Sequence, residues 1–109
     1  LMVLTSSLKD VMCLFEMGFN AVALQSEMQM PEEEFIKALQ ERFKTVVVFY
    51  DNDFTNVENP GQTMAKKICA EFELGNICIP SELGVKDISD YLTQGKSLQD
   101  AKHLIEQQL

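Results

Sequence analysis

Thr45-Val46-Val47-Val48-Phe49-Tyr50-Asp51-Asn52-Asp53 is the stretch on which the fold turns. Thr45–Tyr50 is a continuous run of β-branched and aromatic residues, without the polar alternation of a half-exposed strand. Such a strand is covered on both faces, as in the middle of a parallel sheet flanked by helices. It stops at two acids, Asp51 and Asp53, separated by one amide.

Outward from this strand, helix and strand signals alternate. Leu1–Thr5 reads as a strand. Residues 8–17 read as a helix whose buried face holds Leu8, Val11, Met12 and Phe15, with Leu14 beside them and Gly18 as the stop. Asn20–Leu24 is a short apolar strand. Pro31 and the acids Glu32, Glu33 and Glu34 open a helix with Pro in its first turn and a stripe of Phe35, Ile36, Leu39 and Phe43. Beyond the central strand, Asp51–Pro60 is turn-like. A helix is predicted over Gly61–Phe72, broken by Gly75, and a strand over Asn76–Ile79, ended by Pro80. Lys86–Leu92 is a short helix or turn. Ser97 caps a last helix with Leu98, Ala101, Leu104 and Ile105 on one face. The order β-α-β-α-β-α-β-(α)-α predicts one three-layer α/β domain over residues 1–109. Its sheet is mainly parallel and four-stranded, with helices on both faces.

The chain has 109 residues, enough for one hydrophobic core, with 46% apolar and 24% charged residues. Its net charge of -8 repels phosphate, so tight nucleic-acid binding needs metal ions, a local basic patch or basic neighbouring domains. Cys13, Cys69 and Cys78 form no CxxC pair and there is one histidine, His103, which argues against structural zinc. The odd count fits reduced thiols and a cytoplasmic setting. Leu1-Met2-Val3-Leu4 is too short for a signal-peptide core, and no apolar stretch approaches the ~20 residues that span a bilayer. A first residue other than Met is expected of a fragment of a larger protein.

In open α/β sheets, ligands bind beyond the carboxyl ends of the strands. Three polar clusters fall there: Thr5-Ser6-Ser7-Leu8-Lys9-Asp10, Asp51-Asn52-Asp53 and Lys86-Asp87-Ile88-Ser89-Asp90. In an extended stretch Asp51 and Asp53 share a face. Adjacent carboxylates repel unless a cation neutralises them. Magnesium suits one or two carboxylates plus waters; a solvated turn is the competing reading. Asp10 and Asp87 each fall where a helix N-terminus favours an acid. Ser6 and Ser7 either cap the first helix or offer hydroxyls to a ligand. Lys86 either holds phosphate or reaches solvent. No histidine base lies near the serines in the sequence, which argues against a serine hydrolase.

Together these motifs resemble a Toprim domain, the metal-binding α/β module of bacterial and phage DNA primases, topoisomerases and some nucleases. The resemblance is carried by Ser7-Leu8-Lys9-Asp10 before a helix, by VVVFYDND through Asp53, and by Lys86-Asp87-Ile88-Ser89-Asp90. Gly61 matches a glycine that follows the acidic pair in the family, here behind an apparent insertion, Phe54–Pro60. One departure stands out. The family's glutamate at the end of the first strand falls at Ser6, and its glycine at Ser7. A serine hydroxyl cannot replace that carboxylate as general acid, base or metal ligand.

The resemblance implies metal ligation by Asp51, Asp53 and Asp87, holding Mg2+ or Mn2+ weakly. It implies nucleotide or DNA contacts by Lys9, Asp10 and Lys86. DNA, nucleotides and neighbouring primase or helicase domains are the implied partners in the full-length protein, with no membrane. Two functions follow: a primase part that handles magnesium-bound nucleotide, or a non-catalytic interaction module that has lost metal chemistry. The absent glutamate favours a domain that is not catalytic alone. A receiver-like phosphoacceptor would need an acidic pair after the first strand, and Thr5-Ser6-Ser7 lacks one.

Overall fold

The computed structural model describes residues 1–109. Four strands, β1 (Met2–Thr5), β2 (Asn20–Ala23), β3 (Val46–Phe49) and β4 (Gly75–Ile77), form one sheet in the order β2-β1-β3-β4. Every pairing is parallel; Leu4 stands beside Val22 on one side and Val48 on the other. The helices are α1 (Leu8–Glu16), α2 (Glu33–Arg42), α3 (Pro60–Phe72), α4 (Ile88–Thr93) and α5 (Leu98–Glu106), with a 3-10 turn at Ser81–Leu83.

Val46–Tyr50 is wholly buried, as its continuous apolar character requires. Alternate residues serve opposite cores. Val3, Val47 and Phe49 pack with Leu14 of α1 and Met17 just after it, Ile88 and Tyr91 of α4, and Ala101 and Ile105 of α5. Leu4, Val48 and Tyr50 pack with Ile36 of α2 and Met64, Ala65 and Ile68 of α3. The chain steps from β1 out to β2, then crosses back to β3 and β4. Crossovers of one hand then put α1 on one face and α2 and α3 on the other. The reversal falls between β1 and β3, the switch point at which such sheets bind ligands.

The boundaries differ from expectation in instructive ways. Leu8, Met12 and Phe15 of α1 are exposed at 71%, 61% and 74%. The inward face is instead Asp10, Leu14 and Met17, another i, i+4, i+7 set, so this helix is rotated from its predicted orientation. Pro31 precedes α2 rather than entering its first turn, and Glu32 is the N-cap. Glu73, left-handed at φ 56°, ends α3, whereas Gly75 opens β4. The Ser81–Leu83 turn was not visible in the sequence pattern.

Two contacts hold the sheet's right-hand half. Gly61 lies against the end of β3: a Cβ there would stand 2.5 Å from the Asp51 carbonyl oxygen. At the far edge, the Gln108 side chain accepts from Cys78 N (3.1 Å) and donates to Cys78 O (2.9 Å), imitating a neighbouring strand. Gly61→Ala must push α3 away from a backbone atom, so it should destabilise the domain by about 1–3 kcal/mol. Thermal unfolding checks this; an unchanged Tm would mean that α3 has room to shift.

Candidate functional site

The ends of β1 and β3 are tied together by hydroxyls. Thr5 Oγ1 donates to the Phe49 carbonyl at 2.8 Å, and Ser6 Oγ donates to Asp51 Oδ1 at 3.2 Å. Ser7 caps α1, its hydroxyl accepting from Asp10 N at 3.2 Å. This cap starts the helix early enough to turn Asp10 inward. Asp87 caps α4 by accepting from Asp90 N at 2.8 Å. Three acids thereby meet on the α1/α4 side of the strand ends: Asp10, Asp51 and Asp87 line one narrow cleft with Thr5, Phe49, Tyr50 and Ile88. The cleft is too tight to admit a water molecule.

Asp10 is 3% exposed and its Oδ1 has no hydrogen-bond partner. Burial, then the charge of Asp87, pushes its carboxyl up to about 6, against the opposing Ser7 hydrogen bond and Lys9. Asp51 also rises to about 6, through burial first, then Asp10, Asp87 and Glu27, against the Ser6 hydrogen bond. The Tyr50 hydroxyl is likewise buried without a partner. Its phenol is pushed up to about 12 by burial and by the charge of Glu27. No three His, Cys, Asp or Glu side chains stand close enough to form a ready-made ligand set.

Asn52, between the two acids of the motif, is structural. Its amide nitrogen donates to Ile79 O (2.8 Å) and Ser81 Oγ (3.2 Å), and its backbone N–H to Lys86 O (2.7 Å). Asn59 donates to Asn52 Oδ1 (2.8 Å) and accepts from Asp53 N (2.9 Å). The strand has already ended here: Phe54 N returns to Asn52 O at 3.0 Å. Asp53 therefore does not follow Asp51 into the cleft. It lines a separate cavity of about 390 Å³ with Phe54, Thr55, Lys86, Asp90, Thr93 and Gln94. Lys9 and Lys86 are exposed, and His103 is an exposed residue of α5.

A family model described as Toprim-like matches residues 3–92. The chain belongs to the Toprim-like family. No curated protein and no solved structure gives a significant match. The matched region of this Toprim-like domain contains β2, β3, β4, all of β1 but Met2, and the acidic cleft; α5 lies outside it yet supplies Ala101 and Ile105 to the core. No helix is long and apolar enough to cross a membrane. Cys13, Cys69 and Cys78 are free and half-buried, and burial pushes each thiol up, away from the reactive thiolate.

Sequence reasoning had no signal for Asn52 as the pin of the site, because an amide between acids reads as a turn. It also left out Glu27, whose position in a loop says nothing of its approach to Asp51.

Asp10 and Asp51 hold protons more tightly folded than unfolded. Their stabilising contribution is complete below the ordinary aspartate range and is lost as pH rises through about 6. Asp10→Asn should raise Tm at pH 7.5 by several degrees, at roughly 4–8 °C per kcal/mol. It should also flatten the fall in Tm between pH 5 and 7.5. A slope identical to that of the unsubstituted chain would show that these acids titrate normally.

Proposed function

We propose that this Toprim-like domain binds Mg2+ or Mn2+ at its acidic edge. There it engages nucleotide or DNA phosphates as part of a primase-related replication protein. The observation that carries this reading is the gathering of Asp10, Asp51 and Asp87 at the β1/β3 switch point, with one Asp10 oxygen buried and unpartnered. Proteins keep like charges together at a cost in stability, and a divalent cation removes that cost. The donors are all oxygen, which suits magnesium better than a softer metal.

Asp51 and Asp10 would hold the cation, with Asp87 contributing the oxygen that its capping bond leaves free. Asp53 stands one cavity away and would act through water or on the nucleotide. Waters and phosphate oxygens complete a set that the side chains alone do not. A bound divalent cation neutralises phosphate charge and orients an attacking hydroxyl. Lys86, on the wall of the 390 Å³ cavity, offers a point charge to phosphate, and Lys9 flanks the cleft from α1. The Ser6 hydroxyl orients Asp51 by donating to it and cannot accept or deliver a proton at neutral pH. The domain therefore acts as a platform that is not catalytic alone. Its setting would be cytoplasmic, beside primase or helicase domains.

Titration of the 15N-labelled chain with Mg2+ tests this reading. Amide shifts are expected at Asp10, Asp51 and Asp87, saturating in the millimolar range because few charged ligands are free. Ser6→Glu should tighten that binding about tenfold. A titration that leaves these three amides unmoved would remove the metal from the reading.

A further inference from the structure

Helix α1 has two apolar faces, and the fold uses one. Leu14 is buried in the core, while Leu8, Met12 and Phe15 stand open to solvent. Their i, i+4, i+7 spacing makes them one stripe along the outer side of the helix. A contiguous stripe of three large apolar side chains is the mark of a contact surface. Beside it runs a groove of about 590 Å³ between α1 and the edge strand β2, walled by Leu8, Val11, Val22 and Leu24. Lys9 and Glu16, seven residues apart, share one flank of the stripe, and Val11 falls on the other. Both charges are exposed, and the single ion pair of the chain joins Lys37 to Glu33, so both are free. The stripe therefore has a hollow along one side and one charge of each sign along the other.

We propose that the outer face of α1 is a self-docking surface, on which a second copy of this chain packs antiparallel across a two-fold axis beside Met12. Such an axis exchanges the ends of the stripe. Phe15 of each copy reaches the other copy's Leu8 and the mouth of its groove, and Lys9 of each faces the other copy's Glu16. The contact closes on itself, as an isologous pair must. The charges select a second copy over a different partner: a basic chain drawn by the net charge of -8 would gain nothing from Lys9. The stripe and groove walls of two copies bury on the order of 1,000 Å² in total, the lower limit of a specific interface, so the pair forms at micromolar concentration and is not permanent. Because α1 starts at the acidic edge, the antiparallel pair turns the two edges away from each other. The docking surface thus stands whether or not that edge holds a cation.

Sedimentation velocity of the 109-residue chain, from low micromolar to near-millimolar concentration, tests the pairing. A monomer–dimer equilibrium is expected. Phe15→Ser should weaken it about tenfold or more without lowering the Tm of the monomer, because Phe15 is exposed there. Lys9→Glu and Glu16→Lys should each weaken the dimer about tenfold by setting like charges opposite one another. Both substitutions in one chain should restore it, and so should an equal mixture of the two single variants. A chain that stays monomeric at the highest concentration overturns the proposal and leaves the face to another partner. A dimer that Phe15→Ser does not weaken forms elsewhere, the β2 edge included, and overturns it as well. Weakening by Phe15→Ser without rescue by the charge exchange overturns the antiparallel pairing.

Discussion

The arrangement follows from one requirement: β1 and β3 are apolar on both faces and must be covered on both. Val47 and Phe49 need α1, α4 and α5; Val48 and Tyr50 need α2 and α3. An open parallel sheet meets this by reversing its direction of travel, and the reversal creates the switch point. Everything polar at the carboxyl edge is held by what that burial leaves over. The strand ends are closed by Thr5 and Ser6 hydroxyls, the helix starts by Ser7 and Asp87, and the departing chain by Asn52.

That edge concentrates negative charge within low-dielectric surroundings. Asp10 and Asp51 respond by holding their protons to higher pH, and the cleft between the acids closes against water. The packing would tolerate an asparagine at position 10 more readily than an aspartate. A carboxylate buried at this cost is the feature on which the proposed cation reading rests. Asn52 ties this edge together by joining the β3 end to Ile79, Ser81 and Lys86, the last of these next to Asp87.

Much of the fold was legible because its signals are local. The run from Thr45 to Tyr50, the Ser97 cap and Gly18 each act within a few residues, and the order of elements followed from them. The face of α1 was not legible. Leu8, Met12 and Phe15 form as good an apolar stripe as Leu14 and Met17, and the choice went to the side carrying a buried acid. Hydrophobic periodicity cannot anticipate a charged residue facing inward. At the site, the strand-end position of Asp51 was readable from its neighbours. The divergence of Asp53 was not, since it depends on the Asn59 side chain and on the turn after Asn52. Glu27 was hidden for the same reason: only the crossing of the β2–α2 loop over Gly61 brings it near.

The Gln108 side chain carries a consequence beyond local stability. By occupying both backbone groups of Cys78, it denies an incoming strand the first rung beyond β4. Strand addition along that edge would have only the three residues of β4 to pair with, against four along β2, so the shorter edge is also the one cut off at its end.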